Sequence, residues 1–314
     1  MKIKRIAAVL AACCLLPVSA WAAEEVPEIQ KCPEGVITHE MVLVANTGPL
    51  VAMSEAPGGA LIVNEKAVSL LKLNGDITEV ISFQTLEEQF LKEGETLRFC
   101  KPYYDIYTNR NYLYVTADNK ETYETRTLLL LLLSDGLEQV MESDLELVNF
   151  MFFTDGTPVA RNSDQLYRIV NGKPELYLDF SGGKRMTGVK LHTSEMVMRN
   201  DTLYAYSFTK FYKFNTQTMQ FEQMPAAWDS TFAYANYCLH FPGPDGIWIK
   251  PTSGWNANAF TADGIQKEIF KTANVLNAKI NTKERYHFAN EDGTILFFEG
   301  MGDKGNVYMV RKIS

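Results

Sequence analysis

A short turn phrase recurs along this chain, and each copy leads directly into a β-rich run. The strong copies start with Asp and the weak ones with Asn or Gly; the six begin at Gly58, Asn111, Asp155, Asp201, Asp245 and Asp292. Successive copies are 44 to 53 residues apart, which is the spacing of β-propeller blades. Residues of this kind form the turns that join adjacent antiparallel strands. The repeat therefore predicts architecture, and by itself it says little about function.

The runs between these turns have the composition of strands. They are apolar or β-branched, and Gly, Asn or Pro bounds them. In the first repeat unit the predicted strands span residues 49–54, 60–64, 67–73 and 77–83, and a short helix follows over 85–95. The second unit is predicted to start with a strand near 103–108. Its run of six leucines, Leu128–Leu133, reads as a strand buried on both faces.

The last unit is one strand short. It begins near Arg285 and has room for only three strands, whereas Val36–Ala45 is a strand candidate with no unit of its own. A circular array can use the early strand to complete the late unit, which removes exposed sheet edges. We therefore expect an all-β, six-bladed β-propeller closed by its N-terminal strand, and the pattern resembles six-bladed propellers in general. Two β-sandwich domains are the alternative, which the regular four-strand spacing disfavours.

The first 22 residues have the layout of a secretory signal. Lys2, Lys4 and Arg5 precede the apolar run Ile6–Leu16, and Ala20-Trp21-Ala22 offers a cleavage site. The predicted organisation is a signal peptide over 1–22, an extended segment over 23–35 and one propeller domain over 36–314. The expected location is periplasmic or secreted. Lipoprotein anchoring at Cys13 is a minor alternative, because a lipobox-like sequence precedes that cysteine.

Charge and cysteine content limit the partners. The chain carries a net charge of −8, which becomes −11 without the three basic residues of the signal. This balance argues against nucleic acid and favours a partner protein with a basic surface. After cleavage Cys32, Cys100 and Cys238 remain. We expect Cys238 to be a core thiol, and Cys32 with Cys100 to be the preferred disulfide pair in an oxidising compartment.

No catalytic, metal or cofactor motif stands out. His240 and His287 occupy the same place in their units, ahead of an Asp-Gly turn, so they could form an acid/base or metal pair near the propeller axis with Trp255 nearby. A repeated structural histidine is the simpler interpretation. The turn acids lack the alternating spacing of a calcium loop, and we interpret them as turn formers.

The predicted binding surface is the propeller face that carries the connections between blades. Acidic and aromatic residues of these connections are the candidates, because aromatic anchors within a polar rim are typical of protein interfaces. The candidate binding residues are Glu87, Glu88, Tyr103, Tyr104, Glu142, Asp144, Trp228, Asp229 and Trp255. Alternatively, these connections are solvated acidic loops that bind no partner.

Three functional hypotheses follow from the sequence. The preferred one is a non-enzymatic, protein-binding propeller of the bacterial envelope, in a concrete version an inhibitor or immunity-type protein. The second is a funnel-site enzyme or carbohydrate-binding protein, and the third is a permanent scaffold subunit of an envelope complex. Fold alone does not choose between them.

Overall fold

A computed structural model of the chain describes residues 31–180, 195–207, 210–224, 237–240, 247–251, 257–260, 266–278, 284–289, 294–301 and 304–313. These residues form an all-β propeller. Five blades are four-stranded antiparallel sheets with strands in chain order. The predicted signal peptide and the cysteine of the lipoprotein alternative lie outside the described residues.

The first three blades are described almost continuously. Blade 1 contains β2 (Ala52–Ala56), β3 (Gly59–Val63), β4 (Ala67–Lys72) and β5 (Ile77–Ser82). Blade 2 contains β6 (Glu95–Asp105), β7 (Arg110–Asn119), β8 (Thr125–Leu133) and β9 (Gly136–Ser143). Blade 3 contains β10 (Val148–Phe152), β11 (Pro158–Asn162), β12 (Gln165–Val170) and β13 (Lys173–Asp179). The six leucines lie in β8. Leu128 to Leu131 are buried as expected, whereas Leu133 at the end of the strand is 43% exposed.

The next two blades have the same strand order. Blade 4 contains β14 (Glu195–Arg199), β15 (Thr202–Ser207), β16 (Lys210–Asn215) and β17 (Gln220–Gln223). Blade 5 contains β18 (Tyr237–His240), β19 (Ile247–Pro251), β20 (Ala257–Phe260) and β21 (Gln266–Phe270). First strands of neighbouring blades contact each other, namely β2 with β6, β6 with β10, β10 with β14 and β14 with β18.

The remaining sheet combines both ends of the chain. Its members are β1 (His39–Asn46), β22 (Val275–Leu276), β23 (Glu284–Ala289), β24 (Ile295–Met301) and β25 (Lys304–Lys312). Strand β1 lies between β25, to which it is antiparallel, and the two-residue β22, to which it is parallel. A single-turn 3₁₀ helix, Thr272–Asn274, precedes β22. The Asn274 side-chain Nδ2 donates to the carbonyls of Pro33 and Val36, at 2.9 and 2.7 Å.

One helix, α1 (Phe83–Phe90), connects blade 1 to blade 2. It starts two residues before the predicted position, because the Ser82 hydroxyl caps it by accepting a bond from the Thr85 amide at 3.1 Å. It ends at Phe90, five residues before the predicted end at residue 95. Leu86 anchors it in the core between blades 1 and 2.

The predicted disulfide is wrong, because Cys32 and Cys100 are both free and buried. The Cys32 thiol donates to the Glu268 carbonyl at 3.1 Å, beside the outer strand of blade 5. Cys100 lies in the core between blades 1 and 2, where burial raises its thiol pKa to about 12. Only the backbone of Cys238 belongs to the described part, in β18.

Candidate functional site

Antiparallel strands give the propeller two distinct faces. The turn face carries the hairpins between the first and second strands of each blade, which include the recurring turn phrase. The connection face carries the segments between blades and the hairpins between second and third strands. At blade 2 these are α1 with the residues after it, the β7–β8 hairpin and the β9–β10 segment.

Tyr103 and Tyr104 lie on the turn face, so their predicted position near the connection face is wrong. Strand β6 starts at Glu95 instead of near 103, which moves both tyrosines to its far end. The Tyr104 hydroxyl donates to Asn109 Oδ1 at 2.7 Å within the β6–β7 turn. Tyr103 packs edge-on against Phe150, at 5.6 Å between ring centroids, in the core between blades 2 and 3.

Two of the predicted acids are engaged within the protein. Glu87 Oε1 accepts a bond from the Leu97 amide at 3.0 Å, which ties α1 to β6. Glu142 Oε1 lies 2.6 Å from Lys92 Nζ and 3.3 Å from Arg126 Nη1. The Lys92 hydrogen bond in particular lowers the pKa of Glu142. Both residues therefore stabilise the base of the connection face.

A buried ion pair lies beneath this face. The Arg126 and Glu95 side chains are 6% and 7% exposed, and Arg126 Nε donates to Glu95 Oε1 at 2.8 Å, with a second bond from Nη2 to Oε2. Arg126 Nη2 also donates to the Phe90 carbonyl at 2.9 Å, at the end of α1. The Arg126 hydrogen bond lowers the pKa of Glu95, so the carboxylate stays ionised.

Above this base lies a set of exposed side chains that we call the blade-2 patch. It contains Glu88, Glu93, Glu121, Tyr123, Glu124, Asp144, Leu145 and Glu146. Three basic side chains lie among them. Lys92 binds Glu142, Arg98 lies 3.7 Å from Asp118 and 3.8 Å from Glu146, and Lys120 is exposed. The patch is therefore strongly acidic.

Tyr123 is the most exposed large hydrophobic residue in the described part of the chain, at 89%. It has a left-handed backbone with φ of 59°, a conformation that few residues other than Gly, Asn and Asp adopt. The loop that carries it is closely hydrogen-bonded. Asn119 Oδ1 accepts from the amides of Glu121 and Thr122, at 2.9 and 3.1 Å, and the Asn119 carbonyl accepts from the Tyr123 amide at 2.9 Å.

Tyr123 and Leu145 are not among the binding residues predicted from the sequence. Tyr123 is the one aromatic residue in the polar stretch 118–126, just before the leucine run. That contrast was the available signal. Leu145, which is 37% exposed, was overlooked between two acids of the β9–β10 segment. Glu88 and Asp144 are exposed as proposed, whereas Trp228, Asp229 and Trp255 lie outside the described residues.

The turn face uses similar residues for contacts between blades. Asp105 is fully buried; its carboxylate accepts from the Tyr107 amide at 3.0 Å and from the Thr108 hydroxyl. The Tyr107 hydroxyl accepts from the Asn200 amide of blade 4 at 2.8 Å. Asp201 Oδ1 accepts from the Thr154 amide of blade 3 at 2.7 Å. These bonds join blades 2, 3 and 4.

The turn acids have separate roles. Asp155 accepts from the Thr157 amide at 2.8 Å and shapes its own turn, as expected. Asp201 instead bonds the neighbouring blade. Asp245 and Asp292 lie outside the described residues, and so do the side chains of His240 and His287. No group of three His, Cys, Asp or Glu side chains could hold a metal ion in the part of the chain that is described.

Comparison with known proteins gives the fold. No family model and no curated protein matches this chain. A protein of unknown function from Bacteroides thetaiotaomicron VPI-5482 aligns with a TM-score of 0.57 and 9% identity, over 87% of this chain and 76% of that one. Streptogramin B lyase aligns with a TM-score of 0.48 and 11% identity, over 90% of this chain and 100% of that one. The Dos1 propeller gives 0.38 and 10%, over 82% and 66%.

The described residues contain no helix that is long and apolar enough to cross a bilayer.

Proposed function

We propose that this chain is a non-enzymatic, protein-binding propeller whose blade-2 patch docks a partner with a basic surface. An exposed aromatic side chain surrounded by carboxylates suits such a partner, because an apolar anchor supplies affinity while the rim charges steer association. The ion pair beneath the patch holds α1 against blade 2, so the acidic segments are presented from a rigid base.

The observation that carries this proposal is the conformation and exposure of Tyr123. A left-handed non-glycine residue costs about 1–2 kcal/mol, and an 89% exposed ring contributes almost no burial in return. The left-handed backbone closes the β7–β8 hairpin, but neither this conformation nor the exposed ring gives the fold a reason for a tyrosine at this position. A tyrosine displayed at the surface is, in contrast, a common anchor of protein interfaces, since its side chain has few rotatable bonds to order on binding.

We also propose that the five-stranded sheet is the sixth blade, closed by β1. Two contacts support this arrangement, since β23 touches β18 of blade 5 on one side and β2 of blade 1 on the other. The pairing of β1 with β25 supports it as well. Hydrogen exchange provides the test: amides of β1 and β25 should be protected together, and rapid exchange of β1 beside a protected β25 would contradict closure.

Export to the periplasm or the cell exterior belongs to the same proposal. Its support is the sequence of residues 1–22, and an inhibitor or immunity-type role against a basic envelope-acting toxin is its most specific version. Intact-mass measurement of the mature protein tests export. A chain starting at Ala23 is expected, whereas a lipid-modified chain starting at Cys13 would favour anchoring.

The docking proposal is tested by comparative affinity capture. Immobilised wild type, Tyr123→Ala with Leu145→Ala, and Leu176→Ala are exposed to the same envelope extract. Leu176 is the matched control, because it is 54% exposed and lies on the outer strand of blade 3. A protein that wild type and the control retain and the double variant loses is expected. Identical capture by all three would refute docking at this patch.

A further inference from the structure

We infer that the blade-2 patch receives an arginine or lysine side chain of its partner over the Tyr123 ring. This inference rests on the proposed docking function and names the chemical group that the patch selects. A cation binds over a tyrosine ring face when the face is accessible, and nearby carboxylates strengthen the attraction.

The Tyr123 ring is free to receive such a group. At 89% exposure both of its faces meet solvent, and it packs against no ring or cation of the described residues. Two other rings illustrate the opposite state. Lys101 Nζ lies 4.9 Å from the Tyr103 ring centroid, and the Arg168 guanidinium lies 4.4 Å from that of Phe153. Those two rings therefore already have a cation of the protein over them. The Tyr123 ring has no such cation among the described residues, so an external one can bind there.

The charges around the ring have the sign that this contact requires. Glu121 and Glu124 flank Tyr123 in the chain, and the Thr122 hydroxyl donates to Glu124 Oε2 at 3.1 Å, which fixes that carboxylate beside the loop. Arg98 reaches the base of the same hairpin, where its Nη1 lies 3.5 Å from the Thr125 hydroxyl. It is bound there to Asp118 and Glu146, so it leaves the ring and its flanking acids available.

An aliphatic anchor is the competing occupant. A leucine or valine of the partner would use the ring only as apolar area and would gain nothing from the flanking carboxylates. The matched pair Tyr123→Phe and Tyr123→Leu separates the two cases. Phenylalanine keeps the ring face, whereas leucine keeps apolar area and loses the ring.

The probe is a capped tetra-arginine peptide, with capped tetra-citrulline as its neutral analogue, titrated by calorimetry at low salt. We expect wild type and Tyr123→Phe to bind tetra-arginine within about twofold of each other, and Tyr123→Leu to bind it about threefold more weakly. Tetra-citrulline should bind more weakly than tetra-arginine. Leu176→Ala should match wild type.

Three results would overturn this inference: equal tetra-arginine affinity for wild type and Tyr123→Leu, equal affinity for the two peptides, or no binding of tetra-arginine to wild type. The envelope-extract capture experiment separates this failure from failure of docking itself. A partner lost by Tyr123→Ala with Leu145→Ala and retained by Tyr123→Leu would preserve the docking function and exclude the cation contact.

Discussion

The two faces of this propeller use the same residue types for different purposes. On the turn face Asp105 is buried, Asp201 bonds the next blade, and Tyr107 reaches from blade 2 to blade 4. On the connection face of blade 2, Glu88, Asp144 and Tyr123 are directed to solvent. Acidic and aromatic residues thus hold blades together on one face and are displayed on the other.

This difference shows why residue type alone does not locate a site. A carboxylate contributes to stability when its oxygens accept fixed hydrogen bonds, and it remains available to a partner when they do not. The connection face contains both cases. The Glu95–Arg126 pair is internal, whereas the acids above it are exposed. Substitutions of the internal residues and of the exposed ones test this difference. They are given below in order of their expected effect on stability.

Replacement of Glu95 with Gln should have the largest effect, because it removes the buried counter-ion of Arg126 and leaves only the partly exposed Glu142, 3.3 Å away. We expect a loss of about 3 kcal/mol in the free energy of unfolding at pH 7, measured by urea titration. Arg126 lowers the pKa of Glu95 in the folded state. The wild-type advantage is therefore complete above the unfolded pKa of about 4.3 and disappears as pH falls through the folded pKa. Exposed Glu93→Gln is the control, and a pH-independent difference would contradict the ion pair.

Replacement of Asp105 with Ala should remove the support of the β6–β7 turn. The Tyr107 amide and the Thr108 hydroxyl lose their acceptor, so we expect a cost of about 2–3 kcal/mol. Thermal or urea unfolding measures it. Asp144→Ala changes the same residue type on the connection face and should cost under about 0.5 kcal/mol. Equal losses of stability for the two variants would contradict the proposed difference between the two faces.

Replacement of Gly156 with Ala tests how closely blades 2 and 3 meet on the turn face. A Cβ at Gly156 would lie 2.7 Å from Thr108 Cγ2, whereas one at Gly58 would have no neighbour within 4 Å. Their φ angles are similar, 81° and 71°, so both substitutions carry the left-handed cost of about 1–2 kcal/mol. We expect Gly156→Ala to cost about 1 kcal/mol more than Gly58→Ala. Identical unfolding midpoints would show that the contact is loose.

Replacement of Glu88 with Gln together with Asp144 with Asn should have the smallest effect on stability, under about 0.5 kcal/mol. These acids are exposed, and their proposed role is to attract a basic partner. The association rate of the captured partner, measured by surface plasmon resonance, should fall, and its salt dependence should weaken. An unchanged association rate would show that these two acids do not attract the partner.

Local sequence patterns predicted most of the strands. The recurring turn residues marked the hairpins, and the predicted strand 67–73 matches β4 to within one residue. The predicted boundaries are wrong where contacts between distant parts of the chain make a strand longer than its local sequence indicates. Strand β6 begins at Glu95, well before the predicted strand near 103–108, because Glu95 pairs with Asn119 at the end of β7. This single shift moved Tyr103 and Tyr104 to the other face.

The site was only partly predictable for the same reason. Acidic connections are visible in the sequence, yet the burial of Glu95 depends on Arg126, which is 31 residues away. The predicted Cys32–Cys100 disulfide is wrong because the sequence does not show which cysteines lie close together in the fold. Cys32 contacts Glu268 of blade 5, and Cys100 lies between blades 1 and 2. Tyr123 became conspicuous only when its exposure and backbone angle were known.

Site-specific photocrosslinking tests the central claim most directly. A benzoyl-phenylalanine is placed at Tyr123 or, as an exposed control on another blade, at Leu176, and cells that make the protein are irradiated. The docking account predicts one discrete protein adduct from position 123 and none from position 176. The same adducts from both positions, or none from position 123, would contradict the claim that the blade-2 patch is the docking surface of this propeller.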